Sequence, residues 1–359
     1  MNKPRVIAFY LPQYHPTPEN DEWWGKGFTE WTNVGRAKPL FKKHYQPKVP
    51  ADLGYYDLRI SEVREEQAKM AQEAGIEGFC YWHYWFAGRR MLDKVFKEVL
   101  ESKNPNYPFC LCWANHSWYK KTWDPNIPDE LLIEQTYPGI EDYINHFYEM
   151  LPAFKDDRYM KVNNKLIFGI FAPNDIPNPK LFFDTWNNLA KENGLEGFYF
   201  FGYTIEHNKI SPILNKGFDS VVIDYVNASI NTRSIFYKWF VITKRLIFKI
   251  PHLIEYNNYV KYCLNLYEAK NNIHLSIDPN FDHSPRSKYK AIILINSTPQ
   301  KWGKLCYEVF KRISNRKKED NLLFIKAWNE WGEGNYLEPD LKFGMGYLNE
   351  LKKNLNKFV

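Results

Sequence analysis

Eight short apolar runs recur along the chain, most of them separated by segments with helical spacing, and this alternation limits the fold more than any single motif. The runs occupy residues 6–10, 76–85, 109–113, 166–171, 198–203, 220–224, 274–277 and 322–328. Helical patterns lie between and after them at 60–74, 92–102, 140–154, 180–193, 301–314 and 341–355. Ala74-Gly75 and Asn193-Gly194 read as helix ends. Strands that are apolar on both faces belong in parallel sheets covered by helices. The expected fold is therefore α/β: a single (β/α)8 TIM barrel with long active-site loops, one domain spanning residues 1–359. A helical insertion is expected at 231–265, between strands six and seven. A doubly wound sheet is the alternative. In a barrel, function sits at the C-terminal strand ends.

The residues just after these strands are polar and aromatic, as a cleft would require. Strand one leads to Tyr10, Gln13 and His15, strand two to His83 and Trp85, and strand three to Trp113, Asn115, His116 and Trp118. Tyr203 follows strand five, Asp224 strand six, and Asp282 and Arg286 strand seven. The long stretch 16–59, rich in Trp, Gly and Pro, includes Trp31 and is expected to form an irregular loop over the barrel mouth. An aromatic fraction of 18% exceeds what a core needs, so a share of these rings is expected to line the cleft.

The last strand runs into Trp328-Asn329-Glu330-Trp331-Gly332-Glu333-Gly334-Asn335, with Glu338 shortly after. Aromatic faces suit the C–H surfaces of a sugar, amides suit its hydroxyls, and paired carboxylates are the usual machinery of glycoside chemistry. Residues three apart on a helical turn lie about 5–6 Å apart at Cβ, close to the carboxylate separation of about 5–5.5 Å in retaining glycosidases. Glu330 and Glu333 are thus the candidate catalytic pair, one raised in pKa by burial among Trp328 and Trp331, the other ionised. The plainer alternative has one glutamate capping a helix and the other solvated. The candidate substrate-binding residues are those named after the strands, together with Asn329, Trp331, Asn335 and Glu338. His15, His83 and His116 could converge on a zinc ion, but hydroxyl binding suits so aromatic a setting better; no metal or cofactor is assigned.

A net charge of +6 and the lack of a nucleic-acid motif argue against nucleic-acid binding. Five cysteines, an odd number, argue against a disulfide framework and for reduced, buried thiols. There is no Walker loop, dinucleotide fingerprint, Gly-x-Ser-x-Gly elbow or Asp-x-Asp triplet. The first residues lack a signal-peptide pattern, and no apolar run reaches the roughly 18 residues of a transmembrane helix. A cytoplasmic location is expected. Residues 235–254 interleave Phe236, Trp239, Phe240, Leu246 and Phe248 with Lys238, Lys244, Arg245 and Lys249. They read as an outer or insertion helix, or as an interfacial helix touching an anionic membrane. The expected partner is an oligo- or polysaccharide; the oligomeric state is left open.

Several long blocks carry a family resemblance. They are Ala8-Phe9-Tyr10-Leu11-Pro12-Gln13-Tyr14-His15, the stretch 18–33 ending Gly27-Phe28-Thr29-Glu30-Trp31-Thr32-Asn33, Gly78-Phe79-Cys80-Tyr81-Trp82-His83-Tyr84-Trp85-Phe86, and 327–340. On them the chain resembles the WbsX-type family, which is similar to glycoside hydrolase family 99. The resemblance runs nearly end to end and implies a (β/α)8 barrel working in O-antigen or capsular polysaccharide pathways. Members are often labelled glycosyltransferases, whereas the related hydrolases are endo-acting α-mannosidases and mannanases. It further implies that Glu330 deprotonates a sugar 2-hydroxyl to give a 1,2-anhydro intermediate, and that Glu333 is the acid/base. Two departures stand out. Trp113-Ala114-Asn115-His116-Ser117-Trp118 has His116 where the family usually has a glutamate, and Phe281-Asp282-His283-Ser284-Pro285-Arg286 varies a block that usually reads Trp-Asp-Asn-Thr-Pro-Arg. The hexose is therefore not carried over from the relatives.

Overall fold

The computed structural model describes residues 2–120, 128–228 and 235–358, leaving aside the side chains of Ile235, Tyr237 and Lys238. Residues 231–234, the start of the expected insertion, lie outside the described residues, Arg233 among them.

The eight apolar runs form the eight strands of a closed parallel barrel. They are β1 (Arg5–Tyr10), β2 (Gly78–Phe86), β3 (Phe109–Trp113), β4 (Lys165–Ile170), β5 (Phe198–Thr204), β6 (Ser220–Asp224), β7 (Ile273–Ile277) and β8 (Leu322–Ile325). Each pairs with its sequence neighbours, and β1 closes the ring by pairing with both β8 (Val6 opposite Leu323) and β2 (Ala8 opposite Phe79). The doubly wound alternative is excluded by this closure. The eighth strand is shorter than expected: pairing stops at Ile325, and residues 326–328 already belong to the loop.

The flanking helices are α1 (Ser61–Ala74), α2 (Lys94–Ser102), α3 (Ile140–Phe154), α4 (Pro179–Glu192), α5 (Ile210–Asn215), α6 (Tyr256–Leu266), α7 (Pro299–Ile313) and α8 (Gly346–Leu355). Six follow the expected segments, while α5 was not expected and α6 falls at the expected helical insertion. Local chemistry sets their ends. Pro179 opens α4 while the Asn178 side chain accepts from the Leu181 N–H at 3.1 Å. Gly75, at φ +88°, closes α1 in the left-handed region. In α7, Trp302, Leu305, Cys306, Val309, Phe310 and Ile313 recur every three or four residues and are all buried against the barrel.

The barrel interior is largely aromatic. Phe9 stacks on Trp82 at 4.6 Å and lies 5.5 Å from Phe324, which in turn meets Phe201 at 5.0 Å. Gly169 makes room for this layer, since a Cβ there would collide with the Phe201 ring and the Cys112 sulfur. All five cysteines are free and buried, and burial pushes the thiols of Cys80, Cys110 and Cys112 upward.

The stretch 16–59 is more ordered than expected. It contains two short helices, Pro18–Trp24 and Glu30–Arg36, the first capped by Thr17, whose hydroxyl accepts from the Asn20 N–H at 3.1 Å. Between β6 and β7, the described part of the insertion holds a helix (Ile235–Phe248), a short strand (His252–Glu255) and α6. That short strand pairs with Ile292–Ile295, beyond β7, so this small sheet sits at the end of the barrel where the strands finish.

Candidate active site

The strand ends open into a cleft of about 540 Å³. Its wall takes Trp82 and Tyr84 from β2, Ala114, His116, Ser117 and Trp118 from the loop after β3, and Phe171 after β4. His283 and Arg286 come from the loop after β7, and Lys326, Glu330 and Glu333 from the last loop. The 16–59 stretch covers one side with Asn20, Trp23, Trp24, Phe28, Glu30 and Asn33.

Glu330 precedes and Glu333 ends a single turn of 3-10 helix, Trp331–Glu333, so their side chains emerge from one turn. Arg286 binds both. Its Nη1 donates to Glu333 Oε1 at 2.7 Å, and its Nη2 lies 3.5 Å from Glu330 Oε2 and 3.0 Å from Glu30 Oε2. Lys326 Nζ contacts the other Glu333 oxygen at 3.2 Å. The Trp82 indole donates to Glu330 Oε1 at 3.1 Å. Gly332 permits this crowding, because a Cβ there would run into Glu30 Oε2 and lie 3.0 Å from Arg286 Nε.

The two carboxyls differ sharply. Burial, reinforced by the neighbouring Glu333 charge, pushes Glu330 up to about 7. Glu333 is buried too, but Lys326 and Arg286 outweigh burial and hold it at about 2. The contacts explain the split: Glu333 meets Arg286 at 2.7 Å and Lys326 at 3.2 Å, whereas Glu330 meets Arg286 at the longer distance of 3.5 Å. His283 lies 3.9 Å from Glu333, with its pKa lowered by burial. Lys326 stays charged despite burial because Glu333 and Asp224 surround it with negative charge.

Of the residues singled out from the sequence, Gln13, His116, Trp118, Arg286, Glu330 and Glu333 line the cleft. His116 packs on Phe171, and its buried Nδ1 has no protein partner. The other candidates lie outside the cleft wall, and most have internal partners. The Tyr10 hydroxyl donates to Gln67 at 2.7 Å, and Trp31 donates to the Tyr56 carbonyl at 2.7 Å. Trp85 donates to Asp142 at 3.1 Å, and Trp113 to the Trp85 carbonyl at 3.1 Å. Asn115 bonds Tyr137 and Ala172, while Asn329 grips both backbone groups of Leu11. Tyr203 donates to Asp224 at 2.8 Å. Asn335 donates to Asp278 at 2.6 Å; burial beside Asp224 pushes the Asp278 carboxyl well up.

Asp282 is held by His44 at 2.8 Å and Gln46 at 2.6 Å, and its own N–H pins the Glu333 carbonyl at 2.7 Å. The three strand-end histidines do not converge. His83 is hydrogen-bonded to His146 at 2.7 Å, His15 is buried outside the cleft wall, and only His116 reaches it. Trp331, expected to bury a catalytic glutamate, instead donates to Glu338 at 2.5 Å, and Trp328 packs behind the loop on Phe79. Trp82 is the indole that meets Glu330.

Glu30, Lys326, Trp82 and His283 were not among the candidates. Lys326 could have been found as the first polar residue after the last strand; Glu30 gives no local signal, because only the tertiary fold brings it to Arg286.

Residues 6–351 match the glycosyltransferase WbsX family. The chain belongs to that family. Two relatives of this WbsX chain, both named uncharacterised protein WxcX, come from strains of Xanthomonas campestris pv. campestris. Each is 33% identical over 359 residues, covering 98% of this chain. The chain spans about half the length of these curated relatives. In three dimensions it is similar to a glycoside hydrolase-like protein (12% identity, TM-score 0.60, 99% of this chain and 94% of that one). It is also similar to the GH99 endo-alpha-mannosidase from Bacteroides thetaiotaomicron (13% identity, TM-score 0.56, 99% and 97%). At such identities the likeness is one of fold, and it agrees with the WbsX chain's closed barrel.

Proposed function

We propose that the chain is a glycan-active enzyme of surface-polysaccharide metabolism, of the O-antigen or capsule kind, that cleaves or transfers glycosyl units with retention at the anomeric carbon. The observation that carries this reading is a pair of carboxyls in one cleft, bridged by one guanidinium and split to about 7 and about 2. The shared guanidinium and the single turn that carries both carboxyls aim them at one region of the cleft, and retention is the outcome assigned to the pair by analogy with the related hydrolases. Pairs whose environments drive their proton affinities apart are the usual sign of acid–base work.

Glu330, which titrates near neutrality, is the stronger base of the two and is assigned the sugar 2-hydroxyl. As it takes that proton, O2 attacks C1 and the bond from C1 to the leaving oxygen breaks. Glu333 supplies the proton to the departing oxygen. To do so it must first gain a proton, which requires the incoming sugar to draw Arg286 or Lys326 away. Water or an acceptor hydroxyl then opens the 1,2-anhydro ring at C1, its proton passing to Glu333 while O2 recovers a proton from Glu330. His116, neutral and with a free ring nitrogen, is placed to bind a sugar hydroxyl, and Trp23, Trp24 and Trp118 offer stacking faces.

The test is product analysis by mass spectrometry and NMR on surface-polysaccharide repeat oligosaccharides, with and without nucleotide sugars. New reducing ends or exchanged oligomers without nucleotide support the proposal. Product formed only with a nucleotide sugar would support the transferase reading that the family name favours. Glycan binding without turnover would support a binding scaffold, the reading favoured by His116 in place of a glutamate.

A further inference from the structure

The helix Ile235–Phe248 turns its apolar side outward. Phe236 is 83% exposed, Trp239 67%, Phe240 62%, Leu246 54% and Ile247 66%. At about 100° per residue these positions share one broad face, and Ile242 and Ile250 extend it. Val241 lies on the opposite side and is buried, so the inward face is the narrow one. An isolated exposed leucine would need no explanation, but a contiguous face of this size marks an interaction surface.

Charge points to the partner. From Tyr225 to Ile254 the sequence has no acidic residue and five basic ones, Arg233, Lys238, Lys244, Arg245 and Lys249. Lys244 and Arg245 flank the buried Val241 on either side of the helix. Arg245 is tied to the body through the Ala291 carbonyl at 3.4 Å, and the helix packs beside Lys288–Lys290. A protein partner would need only the apolar face. Among the described residues, Lys244 and Lys249 stand at the two edges of the apolar face, and an apolar face edged by cations is what a surface of lipid tails beneath anionic headgroups selects. The helix has 14 residues, short of the roughly 20 needed to cross a bilayer, and no helix among the described residues is long and apolar enough to span one. It therefore suits lying in the headgroup plane. Its contacts at 288–291 belong to the segment after β7 that also carries Arg286, so it sits at the cleft end of the barrel.

We propose that Ile235–Phe248 docks the chain on an anionic bilayer surface. The experiment is vesicle flotation of the full chain with 70:30 phosphatidylcholine–phosphatidylglycerol vesicles, against phosphatidylcholine alone. The expected result is flotation with the anionic vesicles, weakened by salt. A Trp239→Gln/Phe240→Gln/Ile247→Gln variant should lose at least tenfold in partitioning with an unchanged circular dichroism spectrum, because all three side chains are exposed. A Lys244→Glu/Lys249→Glu variant should lose binding to the anionic vesicles selectively. Wild-type protein that does not float, or a triple variant that floats equally well, would overturn the proposal. So would a dimer that dissociates in the triple variant, since a second copy would then cover the face. Flotation requires no turnover, so its outcome is separate from that of the glycan assay.

Discussion

The loop after β8 carries Glu330 and Glu338, two buried glutamates that burial raises alike to about 7. Their surroundings have little else in common. Glu338 is enclosed by neutral donors: Gln67 at 2.6 Å, Tyr56 at 2.9 Å and the Trp331 indole at 2.5 Å. It faces no cleft and ties the loop to the body. Glu330 faces the cleft, has one neutral donor in Trp82, and shares Arg286 with Glu30 and Glu333. A perturbed carboxyl is thus not by itself a catalytic one. Access to substrate and an ionised partner on the same turn make the difference.

Activity should separate the two most strongly. Glu330→Gln and Glu333→Gln should each lower kcat/KM by at least the ~10²–10⁴-fold that general acid–base groups supply. Glu330→Gln should leave Tm little changed, whereas Glu333→Gln should lower it, since the Glu333 charge is paired with Arg286 and Lys326. Glu338→Ala should do the reverse in kind. It strands three buried donors, each worth about 1–3 kcal/mol, so Tm should fall markedly and activity should follow the folded fraction. Thermal unfolding beside kcat/KM checks both; a stable Glu338→Ala enzyme would dissolve the distinction.

Next in size is Arg286→Met. Removing the bridge leaves Glu333 with Lys326 alone, so its pKa should rise from about 2 and kcat/KM should fall tenfold or more. Arg286→Lys should not restore it, since an ammonium cannot reproduce the planar fork. A carbon-detected NMR titration of the glutamate carboxyls would show whether Glu333 moves.

The pH dependence of stability sharpens the comparison further. A carboxyl whose folded pKa lies above the unfolded value of about 4.3 stabilises most below that value, and this contribution is lost as pH rises to about 7. Glu338 and Glu330 both act in this sense, whereas Glu333, depressed, loses its contribution only as pH falls from about 4.3 toward about 2. Buried histidines with lowered pKa, His83, His146 and His274 among them, act in the opposite sense over this range. The quantity to follow is therefore a difference: Tm of Glu338→Gln minus Tm of the wild type should rise from pH 5 to 7.5. A flat difference would mean that Glu338 is charged when folded.

The barrel was legible because strand burial on both faces leaves continuous apolar runs, and 109–113 and 220–224 were read to the residue. That Glu330 and Glu333 share one turn at the cleft was legible because they are neighbours in sequence. Most of the aromatic and amide candidates lie outside the cleft wall: Trp113, Asn115, Asn329 and Tyr203 bond to neighbouring backbone and side chains instead. Period alone does not say which residue at a strand end turns to solvent and which turns to a neighbouring backbone. Glu30 was illegible because its role depends on Arg286, 256 residues away.

The smallest expected effect tests the neutral side of the Glu330 environment. Trp82→Phe keeps the ring against Phe9 but deletes the indole N–H that reaches Glu330 at 3.1 Å. A hydrogen bond to a carboxylate favours its charged form, so the loss should move Glu330 upward from about 7. If Glu330 is the base, kcat/KM rises with pH through that region, and its limb should shift to higher pH with a loss of up to about tenfold near neutrality, in line with about 0.5–1.5 kcal/mol for one hydrogen bond. If Glu330 instead donates the proton, kcat/KM falls above about 7, and the same substitution should extend activity into the alkaline range. The limb moves upward in either case; whether it is the ascending or the descending one decides which carboxyl of the pair removes a proton first.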